Sequence, residues 1–228
     1  MTRRSPSPAI VAGVLNLLAL LSSSPSPHLT WYADDAAERV ELSGKVLANW
    51  VSKAANLLEE EGVEPGATVL LDLPVHWRAA VWAMAAWLRG AYVAFDAAGP
   101  APDVVVTYRP EQVDADVVVA VPLAPLALAW AGELPAGVVD GAADLMAQAD
   151  QLMSREAVAP DALAAEDLTF ADLLTPVGRA RRAALVPQDN AWVVDAVRLW
   201  DAGGSVVVFR DVPPDRVTSL SAQEGAQA

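Results

Sequence analysis

The feature that most constrains the fold is a helix-length segment, residues 76 to 89, that is apolar almost all the way round and lies between two strand-like runs. Trp77, Ala80, Val81, Met84, Ala85 and Leu88 mark one face at helical spacing, and Trp82, Ala83, Ala86 and Trp87 fill most of the rest. A helix without a polar face is buried on every side. Before it, Thr68-Val69-Leu70-Leu71-Asp72-Leu73 is a nearly continuous apolar run stopped by Pro74; after Gly90 comes Ala91-Tyr92-Val93-Ala94-Phe95-Asp96. Unbroken apolar strands suit a parallel sheet covered on both faces, joined by a short crossover helix.

The rest of the chain repeats the alternation. Leu29–Tyr32 and Val40–Leu42, around the polar turn 34–39, read as a hairpin. Ser43 is a good N-cap for a helix whose apolar face is Val46, Leu47, Trp50, Val51, Ala54, Leu57 and Leu58, with Gly62 as its stop. Further strands are expected at 103–107, 116–121, 138–140, 183–186 and 205–209. Helices are expected at 142–153 and from 189 or 190 to 202, with a helix and loops between 154 and 182. The fold class is therefore α/β: a three-layer domain, mainly parallel, with helices on both faces of the sheet. One domain over residues 1–220 is expected, with an N-terminal helix and linker at 1–28 and a frayed tail at 221–228.

Composition narrows the partners. Of 228 residues, 54% are hydrophobic and 19% charged, which excludes a disordered chain, and the net charge of −14 repels nucleic acid and anionic membranes. No cysteine is present, so disulfides, thiolate catalysis and Cys-ligated zinc are excluded, and with only His28 and His76 no metal site is expected. Arg3-Arg4, the apolar stretch Ala9 to Leu21 and Ser22-Ser23-Ser24-Pro25 superficially fit a secretory signal. Ile10, Val14, Leu17, Leu18 and Leu21 also make one face of an amphipathic helix, and Asn16 interrupts the run. The helix reading is taken, with a cytoplasmic location; export through a signal peptide is the alternative. No stretch has membrane-spanning length.

Two segments together resemble a known family. Val40-Glu41-Leu42-Ser43, Leu57-Leu58-Glu59 and Gly62-Val63-Glu64-Pro65-Gly66-Ala67-Thr68-Val69 form the first, and Leu73-Pro74, Trp77–Met84 and Arg89-Gly90-Ala91-Tyr92-Val93-Ala94-Phe95-Asp96 the second. Their order and spacing are similar to the opening of AMP-forming acyl-CoA synthetases and other adenylate-forming enzymes, over roughly residues 28 to 121. Leu185-Val186-Pro187 and Trp200–Val208 are similar to a later helix–Gly–strand element of that family. These are scaffold positions. The resemblance implies the fold of the family's N-terminal part, and a phosphate-binding loop rich in Ser, Thr and Gly with a lysine. The interval 169–182 that should carry that loop has one glycine, Gly178, and no lysine; the chain's two lysines are Lys45 and Lys53. The expectation is a truncated relative without catalytic residues or cofactor, acting as a binding or partner module; the alternatives are a small-ligand binding protein or enzyme that uses the remnant cleft for an acyl, adenylate or CoA group, and an oligomerisation or scaffold protein.

Three further constellations are weighed. Arg179, Arg181 and Arg182 stand out in an acidic chain and suit a phosphate or the 3′-phosphate of coenzyme A; the plainer reading is a solvated loop. His76 opens a helix at a strand end, where α/β proteins bind ligands, but no nucleophile elbow accompanies it and a helix-start role suffices. Trp77, Trp82 and Trp87, five residues apart, turn about 140° per step and suit burial rather than a stacking stripe. The partners expected are an acyl, adenylate or CoA ligand, or a protein, including a second copy of the chain.

Overall fold

A computed structural model describes residues 11–113, 115–175 and 179–227. The fold is α/β with mostly parallel pairing, as expected, but its strands divide between two sheets instead of one. The first sheet runs β10(Arg182–Leu185)–β11(Ser205–Phe209)–β1(Pro27–Ala33)–β2(Glu38–Ser43). Within it β10, β11 and β1 are parallel, with Ala183 opposite Val206 and Val206 opposite Leu29, while β1 and β2 form the expected antiparallel hairpin. The second sheet is wholly parallel, in the order β4(Tyr92–Ala94)–β3(Thr68–Asp72)–β5(Val104–Thr107)–β6(Val117–Ala120)–β7(Val139–Asp140). A small hairpin, β8(Leu163–Ala165) with β9(Leu168–Thr169), adjoins β4.

Between the two sheets lies a layer of helices: α1(Val11–Ser22), α2(Gly44–Glu60), α3(Trp77–Leu88) and α6(Trp192–Asp201). Each strand shows this layer alternate residues, as the two-residue period of a strand requires. Val69, Leu71, Val104, Val106 and Val119 join the core built around the helices. All twelve residues of α3 are buried, which is why its sequence carries no polar face. Trp87 Nε1 donates to the Ala164 carbonyl at 2.9 Å, so this buried indole is satisfied. Gly90 then ends the helix at φ +72°; a Cβ there would meet Val158 Cγ2 at 2.3 Å. Ser43 caps α2, its Oγ accepting from Val46 N at 3.2 Å.

α1 covers most of the predicted N-terminal helix and buries Val14, Leu17, Leu18 and Leu21 in the core. Arg3-Arg4, Ala9 and Ile10 of the signal-peptide alternative lie outside the described residues. Among the described residues no helix is long and apolar enough to cross a membrane.

Three departures from expectation have physical causes. The helix expected over 142–153 is only α4(Ala143–Ala147). α2 captures the segment that follows: Lys53 Nζ donates to the carbonyls of Met146 and Gln148 and pairs with Asp150, and Asn56 Nδ2 donates to Ala149 O and Gln151 O. Between 154 and 182, where a helix and loops were expected, the described residues form a short helix, α5(Phe170–Leu173), and add the unforeseen β8–β9 hairpin. The tail expected to fray from 221 is tied down. α7(Pro214–Gln223) packs Val217 and Leu220 on Tyr32, Val207 and Phe209, the outer face of the first sheet. Glu224 accepts from Tyr32 Oη at 2.6 Å, Arg182 Nη2 at 2.6 Å and Arg39 Nη2 at 3.0 Å. Gln227 then bonds the open edge of β10, giving its N–H to Arg182 O and accepting from Ala184 N, both at 2.8 Å.

Candidate functional site

In an open parallel sheet, ligands gather at the carboxyl ends of the strands where the strand order reverses. Here that point lies between β3 and β5, because the chain leaves β3 for β4 on one side and later returns to the other. Asp72 ends β3 and Thr107 ends β5. The Asp72 carboxylate accepts from Thr107 Oγ1 at 2.6 Å and from Arg109 Nη2 at 2.7 Å, and Arg109 N donates to Thr107 Oγ1 at 3.0 Å. The hydrogen bond to Asp72 and its charge raise the pKa of Arg109.

Beside this cluster the chain fills its own crevice. His76, the N-cap of α3, is fully buried; its Nδ1 accepts from Arg78 N and its Nε2 bonds the Leu123 carbonyl, both at 3.2 Å. Burial first, then the Arg78 charge, lower its pKa to about 3, so the ring is neutral at pH 7. Its edge meets the Trp31 ring at 4.7 Å. Arg78 Nη2 donates to Ala127 O at 2.8 Å, and Trp130 N donates to Asp140 Oδ2 at 2.8 Å, so residues 123–130 lie across the start of α3. From the other side Asn190 Nδ2 donates to Leu73 O at 2.7 Å and fixes the approach to α6. A cavity of about 250 Å³ does open beside the end of β4, but Asp96, Glu166 and Asp189 line it and no Lys or Arg does. Burial, then the charges of Glu166 and Asp96, raise the pKa of Tyr92 in its wall. Such a cavity disfavours phosphate.

The three predicted arginines do not converge. Arg179 and Arg181 are exposed, while Arg182 points through the sheet toward α7 and donates to Thr30 Oγ1 at 2.8 Å, Ser205 Oγ at 3.3 Å and Glu224. Successive residues of a strand face opposite sides, so a run of arginines there cannot act as one group. Arg181 and Arg182 do border a shallow basin of about 340 Å³ with His28, Gly203 and Gly204, at the amino ends of β10 and β11. Burial lowers the pKa of His28, against the opposing hydrogen bond with the Gly204 backbone. His76 lies at the carboxyl end of the other sheet, where its ring bonds Leu123 O and Arg78 N.

In the interval expected to hold a phosphate loop, Thr169 instead caps α5, Phe170 and Leu173 are buried, and Arg198 donates to the carbonyls of Leu173 and Asp172. Its Gly178 lies outside the described residues. Among the described residues no three acidic or histidine side chains are placed to hold a metal. Sequence reading missed Arg78 and the Asp72–Thr107–Arg109 cluster. The signal for Arg78 was present: it is the single charge within an otherwise apolar helix.

No family model matches the sequence. A Mycobacterium tuberculosis (strain ATCC 25618 / H37Rv) protein described as a TIGR03089 family protein is 34% identical over 156 residues, covering 64% of this chain and 63% of that protein. Among solved structures, acetoacetyl-CoA synthetase from Streptomyces lividans is similar with a TM-score of 0.70 and 17% identity, over 94% of this chain and 41% of that one. The Brucella canis acyl-CoA synthetase gives a TM-score of 0.68 and 15% identity, over 95% of this chain and 49% of that one. The amide bond synthetase McbA from Marinactinospora thermotolerans gives 0.65 and 18%, over 94% and 47%. The chain thus spans less than two thirds of the curated relative and less than half of these solved chains. Its fold is that of the acyl-CoA and amide synthetases, the adenylate-forming enzymes that the sequence resembles.

Proposed function

We propose that this domain is a binding module on the scaffold of the adenylate-forming synthetases and does not itself form adenylates. The observation that carries the reading is the state of the strand carboxyl ends. The crevice is closed by the chain's own residues 123–130, and the neighbouring cavity is lined by Asp96, Glu166 and Asp189. A nucleoside triphosphate needs preorganised donors and cations at that place, and two of the cations near the sheets are committed elsewhere, Arg182 to Glu224 and Arg109 to Asp72. The exposed Leu126 and Leu128 on the closing segment favour a protein partner over a free surface.

The test is pyrophosphate release from Mg-ATP with a panel of carboxylic acids, beside calorimetric titration with Mg-ATP, coenzyme A and a stable acyl-adenylate analogue. Neither turnover nor heat is expected. Acid-dependent pyrophosphate release by a clean preparation would falsify the reading. Tight binding of the adenylate analogue without turnover would move the module's ligand from a protein to a small molecule.

A further inference from the structure

Arg78 is the second residue of α3 and is 1% exposed. Its guanidinium carbon lies 4.6 Å from the Trp77 ring centre and 4.9 Å from that of Trp50. Nη2 donates to the Ala127 carbonyl, while Nε and Nη1 are buried and donate to nothing among the described residues. The carboxylate that feels its charge, Asp140, is occupied by the N–H groups of Trp130, Ala142 and Ala143. Trp77 Nε1, on the neighbouring residue, and Trp31 Nε1, whose ring meets the capping His76, are also buried without acceptors. Among the described residues, the orphaned side-chain atoms around this helix start are therefore all donors.

That imbalance has a sign. Arginine is almost never fully buried unless paired, because an unpaired buried cation costs several kcal/mol. Stacking on two indoles offsets only part of that, and the positive end of α3 adds to the local potential. What Nε and Nη1 lack is an acceptor: the nearby carboxylate, Asp140, bonds neither of them.

We propose that the start of α3 is an anion-binding site, in which Arg78 grips one carboxylate or phosphate group beneath residues 123–130 with an edge formed by Nη2, released from Ala127, and one of its two unpartnered nitrogens, Nε or Nη1. A planar guanidinium edge presenting two N–H groups matches either oxyanion. Anion binding requires the covering segment to lift. Its carbonyls of Leu123 and Ala127 bond His76 and Arg78, while Leu126 sits at φ +52° and is 55% exposed, with Leu128 62% exposed. The left-handed backbone is strained for a leucine, so part of the work of opening is stored in the closed form. Lifting the segment gives up the Ala127 bond and exposes the whole fork. The site is separate from any adenylating activity, and pyrophosphate release neither supports nor weakens it.

The experiment uses the full chain at fixed ionic strength, with sodium chloride replaced stepwise by sodium phosphate in one arm and sodium acetate in the other. Tryptophan fluorescence and Tm are followed together. A saturable change in one arm is expected, with a Kd of about 1 mM, and the arm identifies phosphate or carboxylate as the ligand class. Arg78→Met should abolish the change and Arg78→Lys should weaken it about tenfold, since an ammonium lacks the fork. Should Arg78→Met fail to fold, Leu126→Gly keeps Arg78 and relieves the strain of the closed cover; it should bind more slowly and less tightly, because more is then spent on opening. The proposal is overturned by a flat response in both arms, the result a buried water would give. It is also overturned by an undiminished response in Arg78→Met or Arg78→Lys, or by unchanged rate and affinity in Leu126→Gly.

Discussion

Replacing His76 by Asn tests the buried, neutral histidine directly. Burial, then the charge of Arg78 on its own helix and more weakly that of Arg210 after β11, hold its pKa at about 3, against an ordinary 6.5. The unfolded chain therefore takes up a proton below pH 6.5 that the folded chain refuses until about pH 3. Stability from this group is complete above pH 6.5 and is lost as pH falls below it. Between pH 7 and pH 5 the unfolded ring goes from mostly neutral to almost fully charged, which removes about 2 kcal/mol. Asn is itself a good N-cap and can accept from Arg78 N, so the helix start survives. The variant loses the edge-on contact with Trp31, about 1 kcal/mol, at every pH. Urea unfolding of both proteins at pH 7 and pH 5 separates the two effects. Wild type should lose about 2 kcal/mol more than His76→Asn over this interval. His28, whose pKa is also lowered by burial, and the carboxylates contribute alike to both proteins and cancel in the difference. Equal pH dependence in the two proteins would show that the imidazole is reached by solvent and that the closed crevice is wrong.

Other substitutions probe the remaining contacts. Glu224→Gln should cost about 2 kcal/mol, because it unpairs Arg182 at 18% side-chain exposure; the more exposed Arg39 adds little. In a chain of this size that lowers Tm by about 4–8 °C by calorimetry. Burial raises the Glu224 pKa, but donation from Tyr32, Arg39 and Arg182 outweighs it and leaves it below 4.5. The difference from Gln should therefore persist above pH 4.5 and close as the pH falls further. Gly204→Ala would set a Cβ 2.5 Å from Arg181 O and 3.0 Å from Leu199 O, both backbone atoms, and should cost about 1–3 kcal/mol in urea unfolding. Asn56→Ala removes three bonds to residues 149–153 from a side chain that is nearly buried, for about 3 kcal/mol. Limited proteolysis should then cut first between residues 146 and 156, and unchanged cleavage there would mean that this segment is held by other contacts.

What the sequence disclosed and what it withheld follow from the range of the interactions. The hairpin β1–β2, the capped α2, the all-apolar α3 and the strand 205–209 were legible because period, caps and stops act within a few residues. The division into two sheets was not, since an apolar run such as Val104–Thr107 shows that a strand is buried but not which strand it pairs with. The early end of α4 depends on Lys53 and Asn56, more than 90 residues away along the chain. The docking of α7 depends on Arg182 meeting Glu224 across 42 residues. The same distance problem governs the candidate site. Arg179, Arg181 and Arg182 were conspicuous as a cluster, yet Arg182 is consumed by a carboxylate that looked like part of a small, polar tail. Arg78 was hidden by its apolar neighbours, yet its two buried nitrogens find no acceptor in the described chain. Clustering of charge along a sequence therefore says little about where an acidic protein can bind an anion. What decides it is which cation is buried after the chain's own carboxylates have been assigned, and in this fold that cation is Arg78.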